Sequence, residues 1–307
     1  MQILNFAKAI ADPTRLRLMS ILHEHELAVG EIVEVLSLKQ SRISRHLKIL
    51  SDAGLVQSRR DGQWVFYTGT PRGEARRFLD AIDSFVRNEE ELAEDATRAT
   101  RVVAARRKET ARFFGSIAGD WDRIRHETLG GLDIAGIVAK RMHGATTAAD
   151  LGCGTGGLLN ALATHAQRVI GVDNSTEMLE RARESFGERA GASGSVSLRI
   201  GDLEHLPLAD GEADFAVMCL ALHHLASPVE GVREAHRALA PGSRFILADF
   251  ERHELESMRT ESGDRWLGFD PDTVRAWLTD TGFTIANEDR FDLPSGLGLR
   301  LFEAVKQ

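Results

Sequence analysis

Two cysteines, one tyrosine and seven prolines in 307 residues close off several architectures. Cys153 and Cys219 stand in neither a CxxC nor a CxxH spacing, so neither a disulfide framework nor a thiolate zinc site is expected. No apolar run approaches the roughly 20 residues of a membrane helix, and the first residues lack the basic-then-apolar order of a secretory signal. The expectation is a cytoplasmic protein with no membrane partner. Bulk positive charge is missing as well: the net charge of -8 argues against a protein that coats nucleic acid non-specifically.

What is present is unevenly distributed. Residues 1–110 hold 18 Lys and Arg against 16 Asp and Glu, whereas residues 111–307 hold 20 against 30, leaving +2 and -10. The length suits two domains, each with its own core. Between Ser37 and Arg60 the chain places Lys39, Arg42, Arg45, Lys48, Arg59 and Arg60 against the single acid Asp52.

That basic stretch falls inside a recognisable order of elements. A first helix over about Ile3–Ala11 is followed by Asp12-Pro13, a capping carboxylate and an N1 proline, which starts a second helix running to about His25. A short helix over Gly30–Leu36, a break at Ser37-Leu38, and a helix over Gln40–Ala53 closed by Gly54 make a helix-turn-helix. Ile43, Leu47 and Leu50 repeat at helical spacing, which turns Gln40, Ser41, Arg42, Ser44, Arg45 and Lys48 away from the core as candidates for base and phosphate contacts. Leu55–Arg60 and Gln63–Thr68 read as a hairpin across an Asp61-Gly62 turn, a wing in which Arg59 and Arg60 are further DNA candidates. The expected partner is double-stranded operator DNA.

The stretch Ala11-Asp12-Pro13-Thr14-Arg15-Leu16-Arg17, with Ser44-Arg45-His46-Leu47-Lys48 and Asp52-Ala53-Gly54-Leu55-Val56, resembles the ArsR family of winged-helix repressors. The resemblance covers about residues 5–68 and implies a homodimer. Thiolate-based sensors of that family carry a Glu-Leu-Cys-Val-Cys type of motif; here the matching residues are Glu26-Leu27-Ala28-Val29-Gly30, without a thiolate for a soft metal. Residues 71–108 are rich in Ala, Glu and Arg, and Phe78, Leu79, Ile82, Phe85 and Val86 recur at helical spacing, which predicts a long connecting helix or helix pair used for dimerisation. The acidic run Glu89-Glu90-Glu91 with Glu94 and Asp95 is read as a solvated face.

From Thr147 the pattern changes to strand, glycine loop, helix and strand. Gly152-Cys153-Gly154-Thr155-Gly156-Gly157 lets the backbone approach a ligand closely, and Asp173, at the end of the next strand, is placed for ribose hydroxyls. Gly152, Gly154 and Gly157 also satisfy a nicotinamide fingerprint, so the loop alone is unspecific. Asp150 before the glycines suits an amino-acid ammonium, and Asp202 after a strand-like Val196–Ile200 suits an adenine amino group. Further along come a buried strand Asp214–Met218, His223-His224-Leu225, a helix Pro228–Leu239, a Pro241-Gly242 turn and a strand Phe245–Asp249.

In this order the residues resemble class I methyltransferases, over roughly residues 112–307. The resemblance implies S-adenosylmethionine or S-adenosylhomocysteine as cofactor or effector, held by Asp150, Gly152, Gly154, Gly156, Asp173, Met178, Asp202 and Leu203. Phe113-Phe114, Trp121-Asp122, Asp249-Phe250 and Leu267-Gly268-Phe269 resemble the subgroup in which an ArsR-type domain precedes the methyltransferase-like one. Phe114 and Trp121 are placed to close over the ligand or to pack the core. The pair His223-His224 has no third ligand nearby in the chain, so no metal site is expected, and no catalytic base is nominated.

The fold expected is therefore an N-terminal α+β winged helix-turn-helix domain (residues 1–70), a helical dimerisation linker (71–108) and a C-terminal α/β, Rossmann-like class I methyltransferase domain (109–307). The expected function is that of a dimeric transcription regulator whose second domain binds an S-adenosyl effector. The alternative is an active small-molecule methyltransferase with an autoregulatory DNA-binding domain.

Overall fold

In the computed structural model, α1 (Gln2–Ile10) ends just before Asp12, whose carboxylate accepts the Arg15 amide at 3.1 Å and caps α2 (Pro13–Leu22). A two-residue strand, β1 (Leu27–Ala28), leads into α3 (Val29–Leu36), and Ser37 takes the left-handed conformation at φ 54° to make the tight turn before α4 (Gln40–Asp52). Gly54, at φ +76°, ends α4 and lets the Leu55 amide return to the Leu50 carbonyl. The wing follows as β2 (Val56–Asp61) and β3 (Trp64–Gly69), antiparallel from Val56↔Gly69 to Asp61↔Trp64, with β1 on the other edge of β3. The structure describes residues 1–61, 64–142, 144–188 and 195–307, so the expected Asp61-Gly62 turn lies outside the described residues. Leu18, Ile21, Leu22, Ile32, Ile43, Leu47 and Leu50 are fully buried between these helices, as their helical spacing requires.

The connecting segment forms two helices, α5 (Gly73–Arg87) and α6 (Glu90–Ile117). The chain divides into two units, Met1–Arg106 and Arg107–Gln307, so the division falls within α6. Phe78 of α5 packs its ring 5.4 Å from that of Phe6, and Phe85 is exposed. The reading of Asp95 as part of a solvated face is corrected: Asp95 is fully buried, held by Arg17 at 2.6 and 3.0 Å and by Arg98. Its neighbours Glu89, Glu90, Glu91 and Glu94 are exposed, as expected, while Asp95 lies on the side of α6 that faces the Arg17 guanidinium.

The second unit opens with α7 (Trp121–Leu129) and α8 (Ile134–Ala139) and continues through β4 (Thr147–Leu151), α9 (Leu159–Ala163), β5 (Arg168–Asp173), α10 (Thr176–Glu188), β6 (Ser195–Ile200) and β7 (Ala213–Cys219). It is completed by α11 (Pro228–Ala238), β8 (Leu239–Phe250), α12 (Met258–Glu261), α13 (Pro271–Thr281), β9 (Phe283–Asp292) and β10 (Gly298–Lys306). The strands form one sheet in the order β6-β5-β4-β7-β8-β10-β9, parallel through β8, with β10 antiparallel to both its neighbours.

The Pro241-Gly242 turn is absorbed into the start of β8. There Ala213 pairs with Leu239 while Phe215 pairs with Arg244, so the intervening residues bulge from the ladder. Chain order runs outward from β4 to one edge and resumes at β7 toward the other. The loops after β4 and β7 therefore flank the switch point where open α/β sheets bind ligands.

Candidate functional site

Two surfaces carry the candidate residues, one in each unit. In the first, Gln40, Ser41, Arg42, Ser44, Arg45 and Lys48 are all exposed on α4, opposite the buried Ile43, Leu47 and Leu50. Arg42 donates to Thr14 Oγ1 at 2.8 Å, and Lys48 lies 3.1 Å from Asp52 one turn on. Both contacts are of a strength that phosphate can displace at an exposed site. The wing arginines differ. Arg60 is exposed, whereas Arg59 is partly buried, reaches back to Glu26 at 3.4 Å and lies 4.7 Å over the Phe66 ring.

In the second unit a single pocket is lined by Asp150, Gly152, Gly154, Asp173, Met178, Asp202 and Leu203. The glycine loop makes this possible. Gly152, Gly154 and Gly156 sit at φ +85°, +51° and +86°, a region costly for any other residue, and a Cβ on Gly152 would come within 2.6 Å of that of Ala221. The third left-handed glycine is Gly156. Gly156 is outside this pocket's lining and lies against Ala182, where its positive φ bends the loop.

Asp173 organises the loop across from it. Its Oδ2 accepts the Gly154 amide and its Oδ1 the Ser175 amide, both at 2.9 Å. Burial raises its pKa from the ordinary carboxylate value, in opposition to these backbone donors. Asp150 is fully enclosed at the end of β4, and burial pushes its pKa to about 7, with Arg125 opposing and Asp173 adding to the shift. Its Oδ2 is buried and has no hydrogen-bond partner among the described residues. A carboxylate oxygen left in that state is a ready acceptor for a cationic group.

Two residues at the site, Arg107 and Glu204, were not anticipated. Arg107 pairs with Asp202 at 3.0 Å and with the buried Glu204, whose carboxylate also accepts the Ser227 amide at 2.5 Å. Burial raises the Glu204 pKa, with Arg107 pulling against it. Thr155 donates to Asp122 at 2.6 Å, tying the glycine loop to α7. Phe114 and Trp121 both line the pocket with their rings edge to face at 5.2 Å, and His224 lies 4.6 Å from Phe114 on the same wall. Burial and the neighbouring His223 push His224 well below the usual imidazole value, so it is neutral. Glu204 and Arg107 leave no motif in the sequence; the His223-His224 pair was visible, but its surroundings were not.

Comparison with known proteins agrees with this division. A family model described as "Bacterial regulatory protein, arsR family" matches residues 12–58, and one described as "Methyltransferase domain" matches residues 149–247. The chain is 44% identical over 94 residues to the arsenic resistance transcriptional regulator of Pseudomonas putida, covering 30% of this chain and 72% of that one. It is 26% identical over 150 residues to the ubiquinone/menaquinone biosynthesis C-methyltransferase of a Geobacter species, covering 47% of this chain and 63% of that one. The chain spans between 30% and 72% of the lengths of the first curated relatives it matches. Among solved structures, the magnesium protoporphyrin IX methyltransferase of Synechocystis shares the fold of the second unit at a TM-score of 0.55 and 21% identity, covering 66% of this chain and all of that one. Among the described residues no helix is long and apolar enough to cross a membrane.

Proposed function

The chain belongs to the ArsR family and joins that DNA-binding regulator domain to a class I methyltransferase domain, and from this premise we propose that it is a homodimeric transcription regulator whose effector is S-adenosylmethionine or S-adenosylhomocysteine. The observation that carries the reading is the unpartnered, buried Oδ2 of Asp150 in a pocket that Asp173 and Asp202 also line. An S-adenosyl ligand offers an ammonium for Asp150, ribose hydroxyls for Asp173 and an adenine amino group for Asp202. Gly152 and Gly154 bring the loop's backbone close, and Met178 and Leu203 supply apolar walls.

For adenine to reach Asp202, Arg107 must share or yield its ion pair with that carboxylate. Arg107, Thr110 and Phe114 of the lining stand on α6, whose earlier turns belong to the other unit, so a ligand that repositions them has a covalent route to the DNA-binding part. The dimer would use the exposed apolar residues of the terminal helices, Ile3 and Leu4 of α1 and Phe85 of α5. On DNA, α4 would enter the major groove of an inverted repeat, with Ser44 and Arg45 toward base edges and Gln40, Ser41, Arg42, Lys48 and Arg60 toward the backbone. The effector reading excludes arsenic at Glu26–Gly30, where no thiolate stands.

The test is the anisotropy of labelled operator DNA, selected from a random pool, titrated with the protein alone and with either S-adenosyl ligand. A tenfold shift in DNA affinity corresponds to about 1.4 kcal/mol of differential binding. Identical affinities with and without both ligands would remove the effector role. A second reading, methyl transfer to a small molecule, is favoured by the neutral His224 on the pocket wall, which could accept a proton from an acceptor. Transfer of a labelled methyl group to a host metabolite, abolished by His224→Gln, would support it.

A further inference from the structure

Next to the His224 wall, a second group of side chains converges. His223 and His224 come from the short turn after β7 and Asp264 from the segment after α12, and each offers one ligating atom within 4.8 Å of the others, all three residues being buried. The outer ring nitrogens are already engaged. His223 Nδ1 is 2.7 Å from Asp249 Oδ1, and His224 Nδ1 is 3.2 Å from the Gly263 carbonyl. A carboxylate and a carbonyl can only accept, so each Nδ1 carries the proton and each Nε2 is left for another partner, His223 Nε2 on the side of Asp264. This is the outer arrangement that fixes ring orientation in metal-bound histidines.

The inner atoms are the ones left wanting. His224 Nε2 and both oxygens of Asp264 are buried without a hydrogen-bond partner among the described residues. His223 Nε2 approaches Asp264 Oδ1 only to 3.6 Å, beyond hydrogen-bond reach. The Asp264 carboxylate faces this point and Asp249 holds the far side of the His223 ring, so negative charge lies on both sides of that imidazole.

We propose that His223 Nε2, His224 Nε2 and Asp264 bind a divalent transition-metal ion of the zinc, cobalt and nickel class, with at least one coordination position left open. Two imidazoles and a carboxylate are the donor set of that class. Three protein ligands with a vacant position characterise sites that bind an exchangeable fourth donor, not closed structural ones. Tetrahedral bonds of about 2 Å would draw the ligand atoms to roughly 3.4 Å apart, a closure within the range of side-chain rotation. Because His224 also lines the pocket, an oxygen, nitrogen or sulfur donor of a pocket ligand is the natural occupant of the open position. None of this depends on the S-adenosyl reading, and the experiment uses no S-adenosyl compound.

The full-length protein, stripped with chelator and dialysed, is titrated with cobalt(II) alone. The expected result is visible ligand-field absorption saturating at one ion per chain and displaced by zinc. Asp264→Asn is expected to abolish it, while the far-ultraviolet circular dichroism stays unchanged. Asp249→Asn, which keeps all three ligands but loosens His223, is expected to weaken cobalt binding by about 10- to 100-fold, an effect that a purely structural pair would not produce. Absence of both absorption and retained metal in the wild-type protein overturns the proposal, as does absorption that survives Asp264→Asn combined with His224→Gln.

Discussion

Asp95 in the first unit and Asp150 in the second are both buried carboxylates, and they are treated in opposite ways. Asp95 receives two hydrogen bonds from Arg17 and a further contact from Arg98. Asp150 has an oxygen that nothing among the described residues meets, and its pKa stands at about 7. A buried charge that the fold satisfies can be framework, as at Asp95, or part of a pocket wall, as at Asp173, but an oxygen that the fold leaves unsatisfied marks where something else can bind.

The largest expected effect tests the scaffold side. Asp95→Ala leaves the partly buried Arg17 without its main counter-charge and should cost about 3 kcal/mol of stability, by the usual penalty for breaking a buried pair. Urea unfolding would measure it, and ligand affinity of the folded protein should be unchanged. Asp150→Asn should do the reverse. It removes a buried charge that burial disfavours more than Arg125 stabilises, so ligand-free stability at pH 8 is maintained or raised, while affinity for the S-adenosyl ligand falls about 100-fold, near the upper range for a hydrogen bond to a charged group. Calorimetry on the two variants would break the comparison if both lost stability alone, or both lost ligand alone.

The same carboxylate gives a pH dependence. The folded pKa of Asp150 lies above the value of an unfolded aspartate, so its contribution to stability is fully present at low pH and lost as pH rises toward and through about 7. Ligand binding runs the other way, because an ammonium requires the ionised form. Affinity should increase about tenfold between pH 6 and pH 8, and Asp150→Asn should flatten the profile. A wild-type profile that is already flat would place the ligand's ammonium elsewhere.

These contrasts also explain what the sequence could reveal. Asp12-Pro13, the α4 spacing of Ile43, Leu47 and Leu50, and the Asp150-to-Gly156 loop were legible because each expresses a local rule: a cap, a period, a forced φ. The antiparallel β9–β10 pair left no comparable local signal. Asp95 was misread because an acidic run on a helix looks solvated until the helix has a neighbour, and α2 supplies Arg17 from far back in the chain. Asp264 joins His223, and Glu204 joins Arg107, only through the sheet's topology. Partners distant in sequence decide whether a charge is satisfied, and no window along the chain contains both.

The smallest expected effects lie on the DNA face, where charges are exposed and the energies modest. Arg45→Ala should weaken binding to a selected operator by about 1–3 kcal/mol while leaving random DNA nearly unaffected, and Ser44→Ala should do so less. Arg60→Ala should weaken all sequences alike and reduce the salt slope by about one. Arg59→Ala is the sharpest comparison with Arg60, since the two are adjacent on the wing and differ in exposure. With its guanidinium held by Glu26 and stacked on Phe66, Arg59 should change the salt slope by much less and show its loss in thermal stability instead. Equal salt slopes for the two variants would mean that Arg59 leaves Glu26 for phosphate when DNA arrives, and that an internal ion pair at an exposed edge, unlike the one at Asp95, does not commit its arginine.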